Sequence, residues 1–441
     1  MLDFDRFFIE NSDRFDGQSV TLKGWVYNKR SSGKIKFLMM RDGTGIMQGV
    51  LFKGECDEKS FEEFEKLTQE SAIEVTGKIR KEPRSVGGFE MGISSIQIVS
   101  IAEPYPISPK EHGVEFLMQH RHLWIRSQKQ WAALRVRAEI IRAIQEYFDT
   151  RGFVRFDAPI LTPNACEGTS TLFSTPYFEE KAFLTQSGQL YGETGAMAFG
   201  KVYTFGPTFR AEKSATRKHL AEFWMIEPEV AFMDLEGNMK LGEGLIEHIA
   251  QSVLKNRARE LTILERDLSK LEVLKGPFPR ISYDEALKIL EKRGVGIPWG
   301  EDFGAPHEAA LGEEFGKPVF VHHMPSQIKA FYFKQSDSLF GPASEGTGKY
   351  AFGCDLIAPD GYGEIIGGGQ REENASVLQR RIKEHELNES DYQWYIDLRR
   401  YGSVPHAGFG LGLERTVAWM TGVPHVRETV PYPRMMNTLR P

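Results

Sequence analysis

Three separated blocks of the chain carry residues suited to nucleotide chemistry. The block Val202-Tyr-Thr-Phe-Gly-Pro-Thr-Phe-Arg210-Ala-Glu212 runs through a basic loop, with Lys213, Arg217 and Lys218, into His219-Leu-Ala-Glu222-Phe223. Two β segments joined by a cation-rich loop are what triphosphate binding between strands needs: the Arg210 fork neutralises an α-phosphate, and Phe223 stacks on a purine ring. A lone arginine there would read as a solvated hairpin loop. The block from Pro405 to Trp419 places Gly408, Gly410 and Gly412 at every second position before Glu414-Arg415. Its bare strand face lets a flat ligand lie against the backbone. Neither GxGxxG nor GxxxxGK[ST] occurs at that site, so Rossmann and Walker loops are not indicated.

Between these blocks stand Asp355, Glu364 and Arg371. Mg²⁺ is commonly held by one or two carboxylates together with phosphate oxygens, which makes Glu364, assisted by Asp355, the metal candidate. Upstream, Glu167, Gln186 and Gln189 offer acceptors for a ligand α-ammonium.

The elements that must position these groups fall into two regions. From Val20 to Ile101 the pattern predicts strands at Val20–Val26, Ile35–Arg41, Met47–Phe52, Ile73–Gly77 and Ile93–Ile101, with a polar helix at Glu58–Thr68. Five short strands and one helix fit an OB-fold barrel. Between Val20 and Lys53 seven basic residues meet one acid, Asp42, and Trp25, Tyr27 and Phe37 are interleaved with them. Cations for the backbone and rings for unpaired bases point to single-stranded nucleic acid.

The stretch Glu103-Pro-Tyr-Pro-Ile-Ser-Pro109 reads as the start of a linker over residues 104–128, so the domains expected are 1–103, 104–128 and 129–441. The spacing of Ile140, Ile144 and Phe148 predicts a helix over Gln130–Thr150, which opens a large domain of helices and β segments. A length of 441 residues suits more than one domain, and 41% hydrophobic with 26% charged residues is ordinary for a folded soluble chain. A net charge of −6 excludes a globally basic nucleic-acid binder and leaves only local patches. Cys56, Cys166 and Cys354 form no CxxC pair, the N-terminus lacks a signal-peptide pattern, and no apolar run is long enough to span a bilayer. A cytoplasmic, non-membrane protein is expected.

Taken together, the FRAE…HLAEF block, the glycine strand ending in Glu414-Arg415, and the helix running into Gly152-Phe-Val-Arg-Phe-Asp-Ala-Pro159 resemble the three motifs of class II aminoacyl-tRNA synthetases, and the chain resembles the aspartyl and asparaginyl subgroup over nearly its whole length. The resemblance implies an α+β multidomain fold: a five-stranded OB-fold for the anticodon, then a catalytic domain built on a mainly antiparallel sheet flanked by helices, with an insertion within about 235–325. It implies ATP as substrate, held by Arg210, Glu212, Arg217, His219, Phe223, Glu364, Gly410, Gly412 and Arg415, with Mg²⁺ on Asp355 and Glu364. It also implies amino-acid binding by Glu167, Gln186, Gln189, Arg210 and Arg371, catalysis by Arg210, Glu364 and Arg415, anticodon contacts by Arg30, Phe37 and Gln48, and a homodimer with Pro159 at its interface.

Within the subgroup the amino acid is decided by few residues. Aspartyl enzymes carry QSPQLYK, whose lysine pairs with the substrate carboxylate; here the segment is Gln186-Ser-Gly-Gln-Leu-Tyr-Gly192-Glu193. The cation is missing and an acid follows, so an anion is unwelcome. An amide needs a donor and an acceptor, which Arg371 with Glu227, or otherwise Glu193, supplies. The expected reaction is therefore attachment of asparagine to tRNA(Asn), with an aspartyl enzyme, an asparagine synthetase of the same fold or a non-catalytic tRNA-binding paralogue as alternatives. Gly367 departs from the serine that aspartyl relatives carry three residues after the metal glutamate.

Overall fold

The computed structural model describes residues 6–168, 170–214, 216–339 and 348–441. Its contacts divide the chain into Met1–Val114 and Glu115–Pro441. The stretch 104–113 carries no helix or strand, while Val114–Gln119 and Arg121–Trp124 are helical, so the segment expected as a linker divides between the two units.

In the first unit, strands Ser19–Ser32, Ile35–Arg41, Ile46–Phe52, Phe89–Ser100 and Ala72–Lys81 close into a barrel in that order. The five-stranded OB plan is therefore present, with helix Glu58–Lys66 between the third and fourth strands in sequence. Asp57 starts that helix by accepting from the Ser60 N–H at 2.6 Å, which satisfies one of the amides left open at a helix N-terminus. Alternation with period two buries Leu22, Val26, Leu38, Met40 and Leu51 inside the barrel. The same alternation turns Phe37 outward, opposite Arg30 on the neighbouring strand.

The second unit is organised by a nine-stranded sheet. Its main path runs Arg280–Ser282, Val319–Pro325, Tyr350–Ala358, Gly363–Gln370, His406–Gly412, Glu222–Ala231, Lys201–Phe209 and Val154–Arg155. Only the first and last pairs on this path are parallel. The expected helix is Gln128–Asp149; it packs Val136, Ile140, Ile144 and Phe148 with helix Leu235–Asn256 in the main hydrophobic core. Most of 235–325 is thus built into this unit: the long helix lies in its core and two of its strands join the sheet. No helix among the described residues is long and apolar enough to cross a membrane, and the three cysteines are free thiols.

Candidate active site

The three central strands, Glu222–Ala231, His406–Gly412 and Gly363–Gln370, are neighbours in the sheet, so residues far apart in sequence meet over its middle. Glu414, second in the helix Leu413–Thr421 that follows the glycine strand, ties this region together. Its Oε2 accepts from the Trp224 N–H at 3.0 Å and its Oε1 pairs with Arg137 at 2.8 Å, in the long helix Gln128–Asp149.

One cavity is lined by Arg210, Glu212, His219, Phe223, Glu364, Gly410, Gly412 and Arg415, eight of the nine residues expected at ATP. The ninth, Arg217, lines an adjoining cavity together with Lys218 and Arg415. The Arg210 guanidinium lies 5.4 Å from the Phe223 ring centre, and its Nε is buried without a partner among the described residues. Burial disfavours its charge, but Glu167, Glu212 and Glu364 outweigh that and hold it protonated. Burial and then Arg415 push the His219 imidazole down, which favours its neutral form.

A second cavity of ≈ 270 Å³ shares Arg210, Met225, Glu364 and Gly410 with the first. It gathers Glu167, Gln189, Glu227 and Arg371 as expected for an amino-acid pocket. Gln186 does not line it: its Oε1 accepts the N–H groups of Cys166 and Glu167, while its Nε2 donates to Gly168 and Thr171. It braces the loop that carries Glu167, a support role that its type and spacing do not distinguish from ligand contact.

Glu227 is buried and held by three donors: the Ser187 hydroxyl, the Gly188 N–H at 2.7 Å and the Thr204 hydroxyl at 2.8 Å. Both oxygens accept and no partner needs its proton, the pattern of an ionised carboxylate, although burial pushes its pKa upward. Glycine is required at 188. A Cβ there would lie 2.8 Å from Thr204 Oγ1 and 3.0 Å from Glu227 Oε2, and a proline would also remove the donated N–H.

Arg371 is equally constrained. Its Nη2 and Nε donate to the two oxygens of Glu229 at 2.5 and 3.3 Å, and Glu193 lies 4.0 Å from Nε. Only Nη1 is buried without a partner among the described residues. Burial pushes Glu229 up and Arg371 opposes it; with both oxygens already accepting from a permanent cation, the pair is read as ionised. Gly192 makes room for this pair: a Cβ at 192 would meet Glu229 Cγ at 3.3 Å. Gly408 does the same from the glycine strand, where a Cβ would fall 2.2 Å from Glu229 Oε1. Of the two acids weighed as amide acceptors, Glu227 reaches the cavity and Glu193 does not line it.

The expected metal residues converge on Gly367. A Cβ at that position would be 2.4 Å from a Glu364 oxygen and 3.5 Å from an Asp355 oxygen, so glycine keeps open the point both acids face. Serine would not fit there without displacing Glu364. Two oxygen donors around a cleared space beside the cavity expected to take ATP suit a hard cation completed by phosphate oxygens. Asp355 has a further partner that the sequence reading missed, Lys329, whose Nζ donates to both its oxygens at 2.8 Å. Burial and Glu364 push Asp355 up, and the lysine opposes them. Lys329 lies 26 residues before Asp355 in sequence, and nothing in that spacing signals the contact.

In the barrel unit, the Arg30 guanidinium stacks 4.4 Å from the Phe37 ring centre. Gln48 Nε2 donates to Glu90 at 3.0 Å, and Glu90 also accepts from Arg80 Nε at 2.7 Å. Pro159 is exposed, with Val154, Ile160 and Leu161 exposed near it in sequence.

A family model described as tRNA synthetases class II (D, K and N) matches residues 113–436, and one described as an OB-fold nucleic acid binding domain matches residues 20–99. The asparagine–tRNA ligase of Desulforamulus reducens is 57% identical over 424 residues, covering 96% of this chain and 97% of its own length. The asparaginyl-tRNA synthetase of Pyrococcus horikoshii, solved as a complex with asparaginyl-adenylate, matches with a TM-score of 0.93 at 42% identity and covers 100% of both chains. The aspartyl tRNA synthetase of Entamoeba histolytica matches with a TM-score of 0.82 at 26% identity, covering 100% of this chain and 94% of its own.

Proposed function

Because the chain belongs to the class II tRNA synthetases of the D, K and N group, we propose that it attaches L-asparagine to tRNA(Asn) at the expense of ATP. The first step makes asparaginyl-adenylate and releases pyrophosphate; the second passes the asparaginyl group to the 3′-terminal adenosine. The observation that carries the choice of amino acid is the pairing across one cavity of Glu227, an acceptor already fixed by three donors, with Arg371, whose Nη1 has no partner among the described residues. An amide offers both complements, N–H to Glu227 and C=O to Arg371. A carboxylate would set an anion against Glu227. The 57% identity to an asparagine–tRNA ligase supports the same reading.

No protein nucleophile is required. The substrate carboxylate attacks the α-phosphorus, and the side chains present hold the reactants in line. Arg210 stands where the two cavities meet and neutralises charge building on the phosphate, Phe223 stacks the adenine, and Arg217 and Arg415 take the far phosphates. Glu364 and Asp355 would hold Mg²⁺, which when bound neutralises phosphate oxygens. Glu167 and Gln189 accept from the α-ammonium.

On the barrel, Phe37 stacks an anticodon base, while Arg30 and Gln48 address phosphate and base edges. The exposed apolar residues near Pro159 suit a homodimer face. The cytoplasm, which keeps thiols such as these three reduced, is the compartment we assign.

Amino-acid-dependent ATP–pyrophosphate exchange tests the reading. Exchange with asparagine and not with aspartate is expected. Exchange with aspartate alone would transfer the chain to the aspartyl reaction, and exchange with neither would leave a tRNA-binding protein without this chemistry.

A further inference from the structure

Glu193 does not line the amino-acid cavity and has no exposed surface, yet its four acceptor positions are used. Oε1 accepts from the Tyr395 hydroxyl at 2.7 Å and from Gln189 Nε2 at 3.1 Å. Oε2 accepts from Arg399 Nη2 at 2.6 Å and faces His406 Nε2 at 2.9 Å. Two residues of the amino-acid pocket depend on this hub. Gln189 must present its carbonyl oxygen to the pocket, because its amino group is committed to Glu193. Arg371 is flanked by Glu193 and Glu229 along one edge, which leaves Nη1 as its free donor.

The hub also sets a charge balance. His406 Nδ1 faces the Val404 carbonyl at 2.8 Å and Nε2 faces Glu193. These two partners are acceptors, so by hydrogen-bond geometry the imidazole donates through both nitrogens and is counted as a cation, although Arg399 Nη2 also lies 3.4 Å from Nε2. Burial disfavours a charge on Glu193, but Arg399, with His406 and Arg371, outweighs it and holds the carboxyl well below the usual range. Among the buried side chains of the wall at and directly behind this end of the pocket, three anions, Glu193, Glu227 and Glu229, then stand with three cations, Arg371, Arg399 and His406. Lys329 on the far side is already paired with Asp355. The wall is neutral before a substrate enters, so a neutral side chain leaves it balanced, whereas a carboxylate brings a buried charge with no counterpart.

We propose that Glu193 is a positioning and specificity residue: its carboxylate completes the neutral wall that excludes anionic side chains while fixing the faces that Gln189 and Arg371 turn to the substrate. This rests on the asparagine reading above.

The test uses the full chain, with pyrophosphate exchange measured separately for asparagine and aspartate and thermal melting as a check on folding. Glu193→Gln leaves one cation in excess. Its KM for asparagine is expected to rise about tenfold, and its aspartate exchange to rise above that of the unaltered chain. The double variant Glu193→Gln/Arg399→Met restores neutrality and returns aspartate exchange to its starting level. A parallel loss of both activities in Glu193→Gln, or no change in either, overturns the proposal, since a purely structural role lowers both and raises neither. Should the single variant fail to melt cooperatively, the double variant decides: retained preference for asparagine supports the charge balance, and lost preference overturns it. If the unaltered chain prefers aspartate, the asparagine reading itself falls. If it prefers asparagine while Glu193→Gln gains nothing toward aspartate, only the role of Glu193 falls.

Discussion

Arg371 and Glu229 meet edge to edge in the core of the second unit, two guanidinium nitrogens on two carboxylate oxygens, with neither side chain more than a few per cent exposed. Such a pair fixes the arginine more firmly than a single contact does, because both the position and the plane of the fork are set. In the proposed reaction the substrate amide would then meet a donor whose direction does not change.

Removing that arginine therefore does more than delete a ligand contact. Arg371→Ala is expected to abolish asparagine-dependent exchange and also to cost about 3–5 kcal/mol of stability, since Glu229 is left as an uncompensated buried charge. Chemical denaturation checks the second part. Arg371→Ala/Glu229→Ala should recover much of the stability and none of the activity; unchanged stability in the single variant would show that the pair does not carry the packing.

Glu227 makes asparagine binding sensitive to acid. Burial raises its pKa, so protonation sets in at a higher pH than for an ordinary carboxylate. The ionised form that accepts from the amide is present at high pH and is lost as pH falls. The KM for asparagine should thus climb toward acid pH while the KM for ATP changes less, and Glu227→Gln should raise the former and flatten its pH profile. An asparagine KM that stays level down to about pH 5 would count against an acceptor role for Glu227.

The barrel should affect only the second step. Phe37→Ala is expected to cost about 1–3 kcal/mol in tRNA binding, read as a higher KM for tRNA in aminoacylation. Glu90→Ala, which releases Gln48, should act in the same direction. Exchange measured without tRNA should be unaffected in both; if it drops together with aminoacylation, the barrel has a part in amino-acid activation.

His323 introduces a pH dependence of stability. Burial, with His322 beside it, pushes its pKa down to about 4. A histidine whose folded value lies below its unfolded value takes up its proton more readily when unfolded, so stability is lost as pH falls from about 6.5 toward 4, by at most about 3 kcal/mol. His323→Asn, chosen because φ is +54° at this position, should reduce that slope in urea melts. An identical slope would place the effect on other groups.

Much of this protein could be read from its residues in order. Period-two alternation gave the five barrel strands, with bounds that moved by only a few residues except where Ser19–Ser32 ran on past Val26 and Ala72–Lys81 past Gly77. Apolar spacing gave the long helix, and the FRAE and glycine-strand blocks hold residues that the structure brings together around one cavity, the one assigned to ATP in the proposed function. These signals are local, carried by side chains that take the same element or ligand together. The missing lysine at Gly192 was local too.

What filled the space at Gly192 was not local. Glu229 stands there, reached across the sheet and bonded to Arg371, and Glu193 turns away from the pocket to join Arg399 and His406, more than 200 residues later in sequence. The same holds for Lys329 on Asp355, and for Gln186, whose type suits a ligand but whose partners are the Cys166 and Glu167 N–H groups, the Gly168 carbonyl and the Thr171 hydroxyl. The sequence determined the fold, the residues that meet around the cavity proposed for ATP, and the absence of a lysine at Gly192. Only tertiary structure decided which acids line the cavity and which are buried behind it against other side chains, because a buried charge takes its role from the partners that strand pairing brings within reach, and that pairing is set by the whole sheet.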